Sequence, residues 1–209
     1  MSKTETVVVG LSVRNEEKSL YASLESIREA IRVSKEDNIK IVVCINGCVD
    51  KSEFIAGKFQ KDYPDVRCDI IKSAEGLVNA QRGIVESYKA DVYVFPDADS
   101  VIDKNSIELL LRSLRLDPNL VVAYAKTKAL REENNKSLFY KIGLLYDSQG
   151  LLTNRRYFHG RLFATREWLV PTSSEILTRA VKSRRNALLL KYCKNGILLS
   201  ADDIFMSSY

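Results

Sequence analysis

The chain has 209 residues, of which 45% are hydrophobic and 28% charged, values typical of a folded globular protein and not of a disordered or fibrous one. Lys and Arg number 32 against 27 Asp and Glu, which gives a net charge of +5, too small by itself to indicate nucleic acid as a partner. No apolar run reaches the roughly 18 residues that a spanning helix needs, and the first residues lack a secretory pattern. We therefore expect a single cytoplasmic domain.

The four cysteines are Cys44, Cys48, Cys68 and Cys193, and the only histidine is His159. A chain of this length buries its own core without disulfides, so we expect reduced thiols that pack in the interior. Too few ligands accompany the cysteines for a zinc site. A single histidine also leaves little room for Ser-His or Cys-His catalysis, which needs a base beside the nucleophile.

Short apolar strands alternate with amphipathic helices over the first 127 residues. The predicted strands are 6–13, 39–45, 66–72, the start of DVYVFPDADSV, and 120–127. Four helices are predicted. The first follows Asn15 as its cap, and the second begins at Asp50 or Ser52 and ends before Pro64. The third extends from Glu75 to Tyr88 and the fourth from Ser106 to Leu114. Alternation at this short interval predicts an α/β protein with a mostly parallel central sheet and helices on both faces.

Four groups of polar residues come directly after these strands. They are 14–16, 46–50, 75–82 and 97–99. Ligands of open parallel sheets bind outside the carboxyl ends of the strands, so these groups are the first places to look for function.

Asp97 and Asp99 follow the fourth strand. In an extended segment, residues two apart point to the same side, and two carboxylates so close repel each other unless a cation lies between them. Mg²⁺ or Mn²⁺, bound by one or two carboxylates together with substrate phosphates, fits that arrangement. The alternative is a solvated acidic turn that caps a helix.

A second acidic pair, Asp202 and Asp203, lies near the end of the chain, before apolar residues. Adjacent side chains diverge, so one of the two can serve as a base while the other orients or caps. The alternative is a helix N-cap, a frequent role of Asp.

The stretch 151–196 carries ten Lys and Arg against two Glu, a net charge of +8. Either it is a solvated basic surface, or it receives an anionic partner such as a diphosphate, a phosphorylated or lipid-linked acceptor, or an anionic membrane surface. No nucleic-acid-binding motif accompanies it, so we do not expect nucleic acid as a partner.

In chain order, the segments VVVGLSVRNEEKSL, IVVCINGCVDKS, GLVNAQRGI, YVFPDADSVID, GRLFATR and SADDIFM resemble the inverting family-2 glycosyltransferases of GT-A type. The similarity covers nearly the whole chain. It implies a Rossmann-like catalytic domain that uses a nucleotide-sugar donor and Mn²⁺ or Mg²⁺. Within one domain, 1–209, residues 1–116 would form the nucleotide-sugar-binding half and 117–209 the acceptor-side half.

The resemblance also implies roles for residues on the donor side. Asn15 and Glu16 match the positions that cradle the nucleotide, Asn46 and Asp50 match the turn that reads base and ribose, and Arg82 matches a basic position of the donor pocket.

The remaining roles concern the metal, the acceptor and the reaction. Asp97 and Asp99 match the metal-binding Asp-X-Asp motif, Asp97 also contacting the donor; Gly160, Arg161 and Asp202 match the acceptor side; and Asp203 matches the catalytic carboxylate. On this basis Asp203 takes the proton of an acceptor hydroxyl, which then attacks the anomeric carbon from the face opposite the leaving diphosphate.

The chain departs from the family pattern at two turns and at its end. Ser12 stands where the family often has Pro, and Ile45, Asn46 and Gly47 stand where it has Asp-Asp-Gly. The acid with which the family reads uracil is therefore missing at this turn; UDP remains the expected nucleotide, and GDP stays open. The chain ends soon after Asp203 without the family's Gln, Arg and Trp signature, so we expect either an unusually short protein or a trimmed catalytic domain.

The hypothesis is thus a metal-dependent inverting glycosyltransferase in the cytoplasm, or at the inner face of the membrane, that acts on a hydroxyl-bearing acceptor. One alternative is a non-catalytic module of the same fold that binds a nucleotide or another anionic ligand. A second is a nucleotidyltransferase, although its usual glycine-rich phosphate loop is not visible after the first strand.

Overall fold

The computed structural model describes residues 5–125 and 161–166. In these residues six strands and four helices follow one another along the chain. The elements are β1 (Val7–Val13), α1 (Leu20–Ser34), β2 (Ile39–Asn46), α2 (Ser52–Asp62), β3 (Cys68–Ser73), α3 (Leu77–Ser87), β4 (Val92–Pro96), α4 (Ser106–Leu116), β5 (Val122–Tyr124) and β6 (Leu162–Thr165).

The strands form one sheet in the order β3-β2-β1-β4-β6-β5. The four strands β3, β2, β1 and β4 are parallel, with Val7 opposite both Ile39 and Val92. Strand β6 runs antiparallel between β4 and β5. The prediction of a mostly parallel α/β sheet is confirmed.

Both faces of the sheet are covered by helices. Side chains of Val9 and Leu11 on β1 join one cluster with residues of α1, α2 and α4, whereas Val8 joins a second cluster with Ala80 and Ile84 of α3. Alternate residues of a strand point to opposite faces, and because both faces of β1 are buried, the strand is apolar almost throughout. The predicted placement of helices on both faces is therefore also confirmed.

Helix α1 begins later than the sequence suggests. The predicted cap, Asn15, lies five residues before the first helical residue, Leu20, and Ser19 occupies the cap position. Asn15 has a left-handed backbone with φ 57°, a conformation that Asn tolerates better than most residues. The prediction that Asn15 caps the helix is therefore wrong. Its side chain instead bonds to the neighbouring loop, as described below.

Two strands differ from their predictions. Strand β3 is Cys68–Ser73, shifted toward the carboxyl side of the predicted 66–72. Strand β6 was not predicted as a strand: its four residues are all buried, so they show no alternation, and its partners are distant in sequence. The partner strand β5 is three residues long, shorter than the predicted 120–127, which extends beyond the described residues.

One residue of the basic stretch has a structural role. Arg166, just after β6, donates a hydrogen bond from Nη2 to the carbonyl of Leu114 at 2.7 Å. The last carbonyls of a helix lack intrahelical partners, and a cation stabilises this end. Arg166 therefore ties α4 to β6.

Over residues 5–125 and 161–166, no helix is long and apolar enough to cross a membrane.

Candidate functional site

The carboxyl ends of β1, β2, β3 and β4 lie at the same edge of the sheet because these strands are parallel. The loops that follow them form what we call the strand-end site: residues 14–17, 46–50, 74–76 and 97–100. Strand β6 begins at this edge as well, because it is antiparallel to β4 and pairs Leu162 with Pro96.

Asn15 joins the loop after β1 to the loop after β2. Its side-chain Oδ1 accepts a hydrogen bond from the Val49 N–H at 2.9 Å. Cys48 supports the same junction: its thiol donates to the carbonyl of Val13 at 3.2 Å, and its sulfur accepts from the Asn15 N–H at 3.5 Å. Asn15 is exposed, so the amide is accessible from solvent while its oxygen fixes the loop.

Asp50 joins the same two loops from the other side. Its Oδ2 accepts a hydrogen bond from the Glu17 N–H at 2.9 Å, and its Oδ1 accepts from the Ser52 N–H at 3.0 Å. The Ser52 hydroxyl in turn accepts from the Glu16 N–H at 2.8 Å. Glu16 and Asp50, predicted donor-side residues, therefore belong to one hydrogen-bonded unit.

These contacts set the protonation state of Asp50. Partial desolvation acts to raise the pKa of its carboxyl, but the hydrogen bonds from Ser52 and from the Glu17 N–H outweigh it and hold the pKa below its ordinary value. Hydrogen bonds to the charged form have this effect. Asp50 is therefore an anion at neutral pH, held in a fixed position.

Asn46 and Gly47 form the end of β2. Asn46 is buried, 3% exposed, and its Oδ1 accepts a hydrogen bond from the Gly76 N–H at 2.7 Å. Gly47 has φ +63°, a left-handed conformation that glycine adopts without steric cost. Asn46 thus links β2 to the start of α3 and does not itself face solvent.

An ion pair between Arg14 and Glu75 crosses this edge, joining Nη2 to Oε1. Arg14 follows β1 and Glu75 follows β3, and β2 lies between those strands. The two side chains are 49% and 60% exposed. Both residues belong to the polar groups after the strands, but no role was predicted for either, because their proximity depends on the strand order.

Arg82 lies on α3 and is half-buried. Its Nη2 is buried and has no hydrogen-bond partner among the described residues. Buried polar groups are almost always paired. Among the described residues, Arg82 Nη2 is one of five buried side-chain atoms without a partner, with Ser12 Oγ, Ser23 Oγ, Arg28 Nε and Arg166 Nε.

Asp97 and Asp99 lie in a turn. The Ser100 N–H donates to the carbonyl of Asp97 at 3.2 Å, and the Ser100 hydroxyl donates to Asp99 Oδ1 at 3.3 Å. The expectation that Asp97 and Asp99 lie in an extended segment is therefore wrong, because the chain turns immediately after β4. Asp97 is half-buried and Asp99 exposed, and the Asp97 N–H donates to the carbonyl of Arg161 at 2.9 Å.

The donor set of this turn suits a metal that a substrate helps to bind. No group of three or more His, Cys, Asp or Glu residues suited to a metal occurs in residues 5–125 and 161–166, so Asp97 and Asp99 would hold a metal ion only together with other ligands. Mg²⁺ and Mn²⁺ accept such a site, with substrate phosphates and water completing the oxygen ligands.

Several predicted residues lie outside the described residues. They are Gly160, Asp202 and Asp203, with His159 and all of the basic stretch 151–196 apart from 161–166. Of the predicted acceptor-side residues, Arg161 is described and lies beside Asp97. The three described cysteines, Cys44, Cys48 and Cys68, are free thiols, as expected.

A mostly parallel sheet whose strand ends carry these polar loops and an Asp-X-Asp turn defines a Rossmann-like domain of the GT-A type. The model of glycosyl transferase family 2 matches residues 8–178. The chain therefore belongs to glycosyl transferase family 2.

A putative glycosyltransferase, EpsH of Bacillus subtilis (strain 168), is 28% identical over 149 residues, which are 70% of this chain and 41% of EpsH. The chain thus spans about two fifths of this curated relative.

Solved structures show the same fold. The mannosyltransferase PcManGT from Pyrobaculum calidifontis, in complex with GDP-Man and Mn²⁺, matches with a TM-score of 0.54 at 17% identity, over 85% of this chain and 47% of that one. Glucosyl-3-phosphoglycerate synthase from Mycobacterium tuberculosis, in complex with Mn²⁺, UDP and phosphoglyceric acid, matches with a TM-score of 0.53 at 16% identity, over 78% of this chain and 56% of that one.

Proposed function

We propose that this chain transfers a sugar from a nucleoside diphosphate donor to an acceptor hydroxyl with inversion at the anomeric carbon. The observation that carries the proposal is the position of the Asp97–Asp99 turn in this family-2 chain. The turn lies at the edge of the sheet where the loops after β1, β2 and β3 begin. UDP is the favoured nucleotide of the donor. The solved relatives bind GDP-Man or UDP together with Mn²⁺, which supports a donor of this class.

Asp97 and Asp99 would hold the divalent cation, Mn²⁺ or Mg²⁺, together with the donor diphosphate. Such a cation would neutralise the negative charge that develops on the leaving diphosphate. The chain contributes two aspartates of unequal exposure: Asp97 is half-buried, with its backbone N–H bonded to the Arg161 carbonyl, and Asp99 is exposed. The diphosphate would approach from the solvent side.

Arg82 is the proposed partner of the donor's anionic part. Its buried Nη2 has no acceptor among the described residues, and an anionic oxygen would satisfy it through a charge-assisted hydrogen bond. An arginine also keeps its charge at every relevant pH, so this contact would be available whatever the state of the neighbouring groups.

The hydrogen bonds among Asn15, Glu16 and Asp50 support binding through preorganisation. The loops after β1 and β2 are already fixed by side-chain contacts to backbone N–H groups. A carboxylate oxygen has more than one lone pair, so Asp50 can accept from a ribose hydroxyl while it holds the Glu17 N–H. Binding then costs little ordering of the protein.

Asp203 is the proposed base, with Asp202 beside it on the acceptor side. It would take the proton of the acceptor hydroxyl as that oxygen attacks the anomeric carbon. Gly160 and Arg161 are the proposed acceptor-side loop. The Arg161 carbonyl accepts a hydrogen bond from the Asp97 N–H, which supports an acceptor loop next to the donor diphosphate, as a direct displacement requires.

The proposed acceptor is a hydroxyl-bearing molecule, with a phosphorylated or lipid-linked one as the form that the basic stretch 151–196 favours. Its charge of +8 also suits docking to an anionic membrane surface from the cytoplasm. Arg166 is used to hold α4, so the remaining cations would make those contacts.

The test is donor hydrolysis and transfer with Mn²⁺ across a panel of UDP- and GDP-sugars. We expect turnover by the wild type, loss of turnover with retained donor binding in Asp203→Asn, and loss of metal-dependent binding in Asp99→Ala. Asp65→Asn, at an exposed position in the loop before β3, is the matched control and should keep full activity. Donor binding without turnover by the wild type would instead indicate a non-catalytic nucleotide-binding module.

A further inference from the structure

The side of α2 that faces away from the core carries lysines and a phenylalanine. The helix packs on the core through Ala56 and Phe59, which are fully buried. On its opposite side, four exposed residues follow one another at spacings of three and four, so they form one stripe along the helix. We call them the α2 stripe: Lys51, Phe54, Lys58 and Lys61.

The positive charges of the α2 stripe are not paired. Among the described residues, none of its three lysines forms an ion pair. Lys58 Nζ lies 5.1 Å from the centroid of the Tyr21 ring, a contact that leaves its charge in place. The acids of the helix have other partners: Glu53 pairs with Lys72 at 2.7 Å, and Asp62 accepts a hydrogen bond from the Tyr21 hydroxyl at 2.6 Å. The charges of the stripe are therefore available to an anionic partner.

Two apolar side chains at the start of α2 are strongly exposed. Val49 is 90% exposed and Phe54 is 72% exposed. The loop that carries Val49 is held in place, because the Val49 N–H donates to Asn15 at 2.9 Å and Asp50 accepts from the Ser52 N–H at 3.0 Å. The exposure of Val49 is thus built into the folded loop. Apolar side chains beside unpaired lysines are typical of surfaces that enter the interface of an anionic membrane.

We propose that the α2 stripe and Val49 dock the protein on an anionic lipid bilayer, with Phe54 in the interface and the lysines at the lipid phosphates. Each lysine near such a surface strengthens binding by about fivefold, and an exposed aromatic ring gains by leaving water for the boundary of the acyl chains. This surface is distinct from the basic stretch 151–196. The inference adds a second contact to the membrane docking of the proposed function, and it rests on that docking and not on sugar transfer.

Docking through α2 has a consequence for the strand-end site. Val49 belongs to the loop 46–50 of that site, and α2 begins at the edge of the sheet where β2 ends. A bilayer that contacts Val49 and Phe54 therefore lies beside the strand-end site. A lipid-linked acceptor would then reach the site without leaving the membrane.

The test is the fluorescence of a tryptophan placed at position 54 of the full chain. The probe variant is Phe54→Trp in a Trp168→Phe background, which removes the chain's one native tryptophan. With vesicles of phosphatidylglycerol and phosphatidylcholine, we expect a blue shift of the emission and quenching by lipids that carry bromine on their acyl chains. Ser87→Trp in the same background is the matched control, because Ser87 is exposed at the end of α3, on the other face of the sheet. Its emission should not change.

Sedimentation with the same vesicles measures the contribution of charge. Lys61→Glu should weaken binding to the anionic vesicles by at least about fivefold, the value of one lysine at such a surface. The matched control is Lys89→Glu, which reverses the charge of an exposed lysine after α3 and should bind like the wild type. Equal weakening by the two variants would show that only the net charge of the protein matters, which overturns the proposal.

The remaining outcomes separate this inference from the proposed function. Vesicle binding in which the probe at position 54 neither shifts nor is quenched assigns the membrane contact to another surface and overturns this inference alone. No binding to anionic vesicles overturns the inference together with the proposed membrane docking, while sugar transfer remains open to its own test. A blue shift that appears without vesicles and grows with protein concentration indicates a second copy of the chain at the α2 stripe, and this also overturns the inference.

Discussion

Asn46 and Gly76 are joined by a hydrogen bond of 2.7 Å from the Gly76 N–H to the Asn46 side-chain oxygen. Gly76 has φ 123° and is buried, so its N–H has no access to water. One buried side chain at the end of β2 therefore sets where α3 begins, and with it the position of Glu75.

We expect Asn46→Ala to lower the free energy of unfolding by about 1–3 kcal/mol, because it leaves a buried N–H without an acceptor. Asn46→Asp keeps an acceptor and should cost less. Urea unfolding measures both. The control is Asn105→Ala, since Asn105 makes no side-chain capping bond to α4; an equal loss in the control would show that the Gly76 contact is not the cause.

Gly47→Ala should destabilise the protein by about 1–2 kcal/mol, because an L residue pays that cost in the left-handed conformation that Gly47 adopts at φ +63°. The new methyl group would also lie 3.4 Å from the Cβ of Glu75, at ordinary contact distance, so steric displacement adds little. Gly57→Ala is the control: it lies on α2, with no atom within 4 Å of an added Cβ, and it should be neutral or stabilising. Thermal unfolding that ranks Gly57→Ala below Gly47→Ala would contradict this account.

The stability contributed by Asp50 should depend on pH in a definite direction. Its pKa in the folded state lies below the ordinary value of 3.8, so its contribution is complete above that value and is lost as the pH falls through the lower, folded pKa. Asp50→Asn should therefore be less stable than the wild type at pH 7, with the gap closing toward pH 2. A gap that widens in acid would show that the carboxylate is not stabilised by its hydrogen bonds.

Cys48 should react with iodoacetamide before the other described thiols. Cys44 and Cys68 are 0% and 4% exposed, and burial raises the pKa of both thiols, that of Cys68 to about 11, so their reactive thiolates are scarce. Cys48 is half-buried in the strand-end site. In a Cys193→Ser background, mass spectrometry should find the first adduct on Cys48, and UDP with Mn²⁺ should slow its formation. First modification of Cys44 or Cys68 would contradict the burial pattern.

The sequence predicts the sheet and its helices well because their signals are local. Each of β1, β2 and β4 is a short apolar run followed by polar residues, and the stripe on α1 recurs at helical spacing. Strand β6 carries no such signal: Leu162–Thr165 is only four residues long, and its identity as a strand depends on pairing with β4, far away in sequence.

The sequence predicts where the site lies but not which hydrogen bonds its residues make. The sequence locates Asn15, Asp50 and Asp97 at strand ends, yet it gives Asn15 a helix-capping role, whereas the structure joins its side chain to Val49. The geometry of Asp97 and Asp99 was predicted for an extended chain. The chain instead turns there, with a hydrogen bond from the Ser100 N–H to the Asp97 carbonyl. Such contacts depend on which loops become neighbours, which only the strand order decides.

The central claim is that Asp97 and Asp99 hold a divalent cation together with a nucleoside diphosphate. The most direct measurement is calorimetric titration of UDP into the wild type and Asp99→Asn, each with and without Mn²⁺. We predict that Mn²⁺ tightens UDP binding to the wild type by at least about tenfold and has no such effect on Asp99→Asn. The magnitude follows because mutating a residue that merely supports a metal ligand already lowers metal affinity by about tenfold or more. Equal UDP affinity with and without Mn²⁺ in the wild type, or an undiminished Mn²⁺ effect in the variant, would contradict the claim.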